Sequence, residues 1–242
     1  YICENDLRIK NAQNKRYYHL ILLAKNNNGY KNLLKIVSMA YTEGYYYKPR
    51  VDFESIKQYK DDIIALSACL NGEISQRILE NETEKAYESA KKYLNLFGRE
   101  NFYLEVQNHG LREQKKVNET LLSIHQDLGI ELVCTNDVHY VEKKDAFYQD
   151  VLSCIQTGSL LKDENRLKMP VDEFYLKDPD MMKEIFKSYP RAYENTKKIA
   201  DMCNVELKFH NPHLPYFSKL PENATNLEYL KILVKKGLLK KY

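Results

Sequence analysis

The sequence predicts an α/β fold in which parallel strands are joined by helical crossovers, on three observations. Short apolar runs alternate with segments whose apolar residues recur every three or four positions. Glycines stand where helices of that period must stop, and beyond Lys143 strand-like runs give way to helical spacing. Residues 17–24 (Tyr-Tyr-His-Leu-Ile-Leu-Leu-Ala) read as one buried strand ending in the turn at 25–29. Leu33, Leu34, Val37 and Tyr41 then mark one face of a helix stopped by Gly44. A strand over 63–67 is followed by helices around 74–79 and 86–97, the second opened by Asn81 with Glu84 three residues on and ended by Gly98. A strand over 102–106, a helix bearing Val117, Leu121, Ile124 and Leu128 and stopped by Gly129, and a strand over 131–135 complete the alternation. It suits either an open doubly wound sheet or a barrel.

After residue 143 Phe147, Val151, Leu152 and Ile155 share a helical face. Asp178-Pro179 starts a helix over 181–186, and another covers 192–202. Pro212, Pro215 and Pro221 mark a connection, and Thr225-x-x-Glu228 opens a last helix bearing Leu227, Leu230, Val234 and Leu238. A domain boundary is therefore expected near residue 206, dividing the chain into 1–205 and 206–242.

Composition narrows the function by exclusion. With 43% hydrophobic and 29% charged residues the chain is built to fold. Its 37 basic and 34 acidic residues give a formal charge of +3, without the dense cationic surface of an autonomous nucleic-acid binder. No apolar run approaches the ~18–20 residues of a membrane span. Five scattered cysteines with no Cys-x-x-Cys pair argue against a disulfide framework or a zinc ribbon and point to a reducing cytoplasm. The chain opens at Tyr1 with neither Met nor a signal peptide, which reads as an internal cut.

The sharpest local signal is Thr135-Asn136-Asp137-Val138-His139-Tyr140, directly after an apolar run. On an extended segment Asp137 and His139 project the same way and form a metal half-site. Alternatively, Asp137 caps a turn and His139 packs. Cys69, just past the strand over 63–67, could complete an N/O/S site suited to zinc, or be a small buried residue. His19 lies at the start of its strand, an awkward place for a ligand among strand C-terminal ends. His109 follows a strand but sits in an Asn-His-Gly turn, His125 belongs to a helix, and His210-Asn211-Pro212-His213 reads as linker. No Gly-rich phosphate loop, Gly-x-Ser-x-Gly elbow or His-Glu-x-x-His motif occurs.

The motifs in their order resemble the bacterial C-family replicative polymerases, the DNA polymerase III alpha subunits. They run through Tyr18-His19-Leu20, Gly29-Tyr30-Lys31-Asn32-Leu33, Ala65-Leu66-Ser67-Ala68-Cys69 with Gly72-Glu73, and Phe102-Tyr103-Leu104-Glu105. His109-Gly110, Thr135 to Tyr140, Cys154-Ile155-Gln156-Thr157-Gly158 and Glu173-Phe174-Tyr175-Leu176-Lys177 follow, so nearly the whole chain is covered. The resemblance implies a PHP domain over 1–205, an incomplete distorted (β/α) barrel lacking its first strands, with a helical extension. Residues 206–242 would be the linker and first helix of the polymerase palm, and Leu214-Pro215-Tyr216-Phe217 resembles that lead.

By the same resemblance the metal ligands are His19, Cys69, Asp137 and His139, which reverses the reading of His19 from position alone; His109 is not a ligand. Zinc or manganese would occupy this cluster, and magnesium the palm. The first-strand His-x-His, its companion glutamate and the palm aspartates lie outside the sequence, so the segment alone is expected to be inactive. The complete parent would act on DNA primer-template and deoxynucleotides, alongside a sliding clamp and a proofreading exonuclease, in the cytoplasm and without a membrane. The alternatives are a standalone PHP phosphoesterase and a purely structural docking module for an exonuclease subunit.

Overall fold

In the computed structural model, strands β4 (Ile63–Leu66), β5 (Phe102–Val106) and β6 (Leu132–Cys134) are parallel neighbours with every residue buried. Near-continuous apolar runs demand cover on both faces, and side chains alternate between them. Ala65, Phe102, Leu104 and Val106 join a cluster with Ile74, Ile78, Tyr93, Leu121 and Ile124 from helices α3 (Glu73–Leu79), α4 (Thr83–Phe97) and α5 (Arg112–Leu128). Ile64, Leu66, Tyr103 and Val133 meet Ile199 of α8 (Glu194–Met202). The structure describes residues 1–210, 212 and 214–242; Asn211 and His213 of the predicted linker lie outside the described residues.

The expected α/β architecture is present, with three corrections in its first third. The apolar stretch 17–24 is two strands, not one. β2 (Tyr17–Tyr18) pairs antiparallel with β1 (Ile2–Cys3), while β3 (Ile21–Ala24) joins the main sheet in the order β3-β4-β5-β6. β3 runs antiparallel to β4, with Ile21 opposite Leu66, and as an edge strand it is only half-buried. An all-parallel sheet is thus ruled out. In α1 (Asn27–Thr42) the buried stripe is Gly29, Asn32, Ile36 and Ala40, whereas Leu34, Val37 and Tyr41 are exposed. The helix is turned by about one residue from the predicted face, and on the buried stripe Asn32 donates to the Asp61 carbonyl while Gly29 lies against the Asp62 backbone.

Helix α2 (Phe53–Gln58) has no counterpart in the sequence prediction, although Asp52 caps it by accepting from the Ser55 N–H at 2.8 Å. Asn81 does not open α4. It takes a left-handed conformation (φ 62°), Glu82 stands at the cap, and the Glu82 carboxylate pairs with Arg77 and Lys85 instead. Gly98 and Gly129 close α4 and α5 as predicted, each at positive φ. Farther on, α6 (Ala146–Thr157) exposes Phe147, Leu152 and Ile155, and Asp178 caps α7 (Pro179–Ile185). Arg166 holds the segment after α6 by a paired contact with Asp150.

The chain divides into two compact units, Tyr1–Glu206 and Leu207–Tyr242. The second contains α9 (Asn226–Lys241), started by the Thr225–Glu228 capping box. None of its helical residues is buried. No helix is long and apolar enough to cross a membrane, among the described residues.

Candidate metal centre

After β4 the chain turns sharply: Ala68 takes a left-handed conformation (φ 65°), which costs a non-glycine residue about 1–2 kcal/mol. The turn closes when the Gly72 N–H donates to the Cys69 carbonyl at 2.9 Å, and the His19 N–H donates to the Asn71 carbonyl at 2.9 Å. His19 is thereby stitched beside the turn, with its Nδ1 3.4 Å from the Cys69 Sγ. The antiparallel direction of β3 explains its place, since the start of β3 lies at the C-terminal end of β4.

The segment after β6 delivers the second pair by a different geometry from that predicted. Asp137 is not extended but left-handed (φ 44°), and its carbonyl oxygen lies 2.7 Å from the His139 Nδ1. A carbonyl can only accept, so Nδ1 carries a hydrogen, and it is Nε2 that has a lone pair in the neutral ring. The His139 N–H donates to the Phe174 carbonyl at 2.8 Å, and its ring meets Phe174 edge-on. His19, Cys69, Asp137 and His139 all line one cavity of about 310 Å³, with Asn71, Gln107, Gln114 and Phe174 among the other walls.

His109 is committed elsewhere. It is buried and stacked on Phe174 with ring centroids 4.1 Å apart. Its Nδ1 accepts from the Gln114 Nε2 at 2.7 Å, and its Nε2 donates to the Asn136 carbonyl at 2.9 Å. Both nitrogens are used, and they brace the backbone one residue before Asp137. Lys177, also buried, holds the same segment through the Asn136 Oδ1 at 3.4 Å.

Burial pushes the His19 imidazole below its ordinary range and the Cys69 thiol above its own, the negative charges of Asp137 and Glu105 adding to the latter. With no cation, the pair is a neutral imidazole beside a neutral thiol. Imidazole, thiol and carboxylate donors on one cavity suit a zinc-type ion chemically. The His19 and Cys69 side chains touch each other, whereas His139 meets only the backbone of Asp137, and among the described residues no three His, Cys, Asp or Glu side chains stand close enough to hold an ion.

Sequence reading passed over Glu105. It is 3% exposed, and its Oε2 has no hydrogen-bond partner among the described residues. The signal was available, since a glutamate inside the apolar run Phe102-Tyr103-Leu104-Glu105-Val106 is costly to bury.

Comparison with known proteins matches residues 3–109 to the PHP domain. The DNA polymerase III subunit alpha of Treponema pallidum is 46% identical over 235 residues, 97% of this chain and 20% of that protein. The corresponding subunits of Borreliella burgdorferi and Thermus aquaticus are 45% and 42% identical, over 94% and 93% of this chain. The chain spans about a fifth of the length of the curated relatives it matches.

Proposed function

We propose that this chain, which carries the PHP match and is similar over 97% of its length to a DNA polymerase III subunit alpha, serves in a replicative DNA polymerase. The parent would extend a DNA primer with deoxynucleotides by phosphoryl transfer, using magnesium at palm aspartates outside this chain. The chain by itself is expected to carry no polymerase activity. A standalone phosphoesterase is disfavoured, because the likeness to polymerase subunits runs past the PHP match at residue 109 and takes in 97% of the chain.

Within the parent, the PHP region would hold zinc or manganese on His19, Cys69, Asp137 and His139, and the observation that carries this reading is that all four line one cavity. Neutral His19 offers a lone pair, His139 offers Nε2 because its Nδ1 is engaged, Asp137 brings charge, and Cys69 gives up its proton when a cation is near. Bound there, the metal would supply a Lewis acid for a phosphoester oxygen, the chemistry of 3′–5′ proofreading. Zinc or manganese content of the purified full-length protein tests it: wild type should carry metal, and His139→Ala and Cys69→Ala should each lose most of it. Equal metal in all three would refute the assignment.

A scaffold role is the second reading, favoured by the exposed Phe147, Leu152 and Ile155 on α6, which suit docking of replicase subunits such as a separate exonuclease. A sliding clamp would act with the same assembly. The five free cysteines fit a reducing cytoplasm.

A further inference from the structure

Glu105 is the lone charged side chain in the three buried parallel strands. Packing alone gives no reason for it, since a valine or leucine would fill the position without the cost of burying a carboxylate. Its surroundings are polar in one direction. The Oε1 accepts from the Thr135 Oγ1 and, at 2.9 Å, from the Gln107 Nε2, and the Glu105 N–H donates to the Ser67 Oγ at 2.8 Å. In register Leu66 stands opposite Tyr103 and Glu105 opposite Val133, so the carboxylate is level with the two strand ends from which Cys69 and Asp137 depart. Glu105 lines, with Cys69, Gln107 and Gln114, a cavity of about 10 Å³, and those three residues also wall the larger cavity of the candidate centre.

We infer that Glu105 is a positioning residue of the candidate centre. Its carboxylate ties the end of β6 through Thr135 and the end of β5 through Gln107, beneath the turn that carries Cys69, and so keeps Asp137 and Cys69 on one cavity. The inference rests on the metal-binding reading of that cavity. It separates the donors, which touch the ion, from a group that acts only through them.

The test uses Co²⁺ alone, titrated into the full-length protein. A sulfur-to-cobalt charge-transfer band reports a thiolate ligand, and its loss in Cys69→Ser assigns the band to Cys69. Removing a group that orients metal ligands commonly costs 10–100-fold in affinity, so Glu105→Ala should raise the Co²⁺ dissociation constant by about that factor. Thr135→Val, which deletes the hydroxyl that donates to Glu105 and accepts from the Gln107 Nε2 at 3.1 Å and so opens the network that Glu105 holds together, should move it the same way even if Glu105→Ala proves too unstable to purify. Thr135→Ser, which keeps the hydroxyl, should bind as wild type does. A Thr135→Val protein that melts earlier but titrates unchanged would show a purely structural network and overturn the inference. A wild type with no Cys69-dependent band would instead overturn the metal reading, and the inference with it.

Discussion

Replacing Gly72 by alanine should destabilise the chain and disturb the His19–Cys69 contact. Gly72 has φ −70° and ψ 155°, a backbone that any residue adopts, so chain entropy alone would make alanine stabilising by about 0.4–1 kcal/mol. Contact geometry acts in the opposite direction. A Cβ there would lie 2.1 Å from the Ser67 carbonyl oxygen and 3.2 Å from that of Cys69. Restoring normal contact requires roughly 1 Å of movement.

The obstacle is backbone that cannot swing aside, because the Ser67 N–H donates to the Tyr103 carbonyl at 3.0 Å and its Oγ accepts from Glu105. Forcing extra volume into such a place costs about 1–3 kcal/mol, so the steric effect wins and the net loss is about 1–2 kcal/mol. Urea unfolding of the chain measures it, and alkylation of Cys69 in the folded state reports displacement of the turn. Gly98→Ala is the control. Gly98 has φ 79° and no atom within 4 Å of an added Cβ, so that change strains the backbone without touching the site. A Gly72→Ala chain as stable as wild type, with unchanged Cys69 alkylation, would refute the reasoning.

Phe102→Ala, at a fully buried position of β5, should cost about 3–5 kcal/mol in the same urea experiment, and a loss below about 1 kcal/mol would contradict the assigned core. Burial holds the His109 imidazole below its ordinary 6.5, so the folded chain stays neutral there while the unfolded chain takes up a proton as pH falls through that value. The corresponding stability is complete above about pH 6.5 and is lost below it, and His109→Gln should flatten the fall of Tm between about pH 7 and pH 5. An identical fall in both proteins would remove His109 from that account.

Much of the fold was legible because β4, β5 and β6 are short apolar runs between helices with glycine stops, signals that need no knowledge of neighbours. His19 was not legible from position, since a ligand at the start of a strand makes sense only once β3 is known to run antiparallel to β4. Strand direction is a tertiary property: Tyr17 to Ala24 carries the same apolar pattern whichever way it pairs, and nothing in it marks the break between Tyr18 and Ile21. The face of α1 was misread for a related reason. Leu34, Val37 and Tyr41 are more apolar than the buried Gly29 and Asn32, and the partner of the Asn32 side chain, the Asp61 carbonyl, is 29 positions away. Asp137 and His139 were found from an extended spacing that the left-handed Asp137 does not have.

The backbone bond from His139 to Phe174 also sets a timetable for synthesis. The centre draws on residues from His19 to Phe174, a span of 155 residues (174 − 19), which a ribosome working at 5–20 residues per second makes in about 8–30 s. Throughout most of that interval the nascent chain can present His19 and Cys69 together while Asp137 and His139 are unmade or unanchored. The thiol and imidazole are therefore the early half of the site, and the clasp at Phe174 belongs to its last-made part.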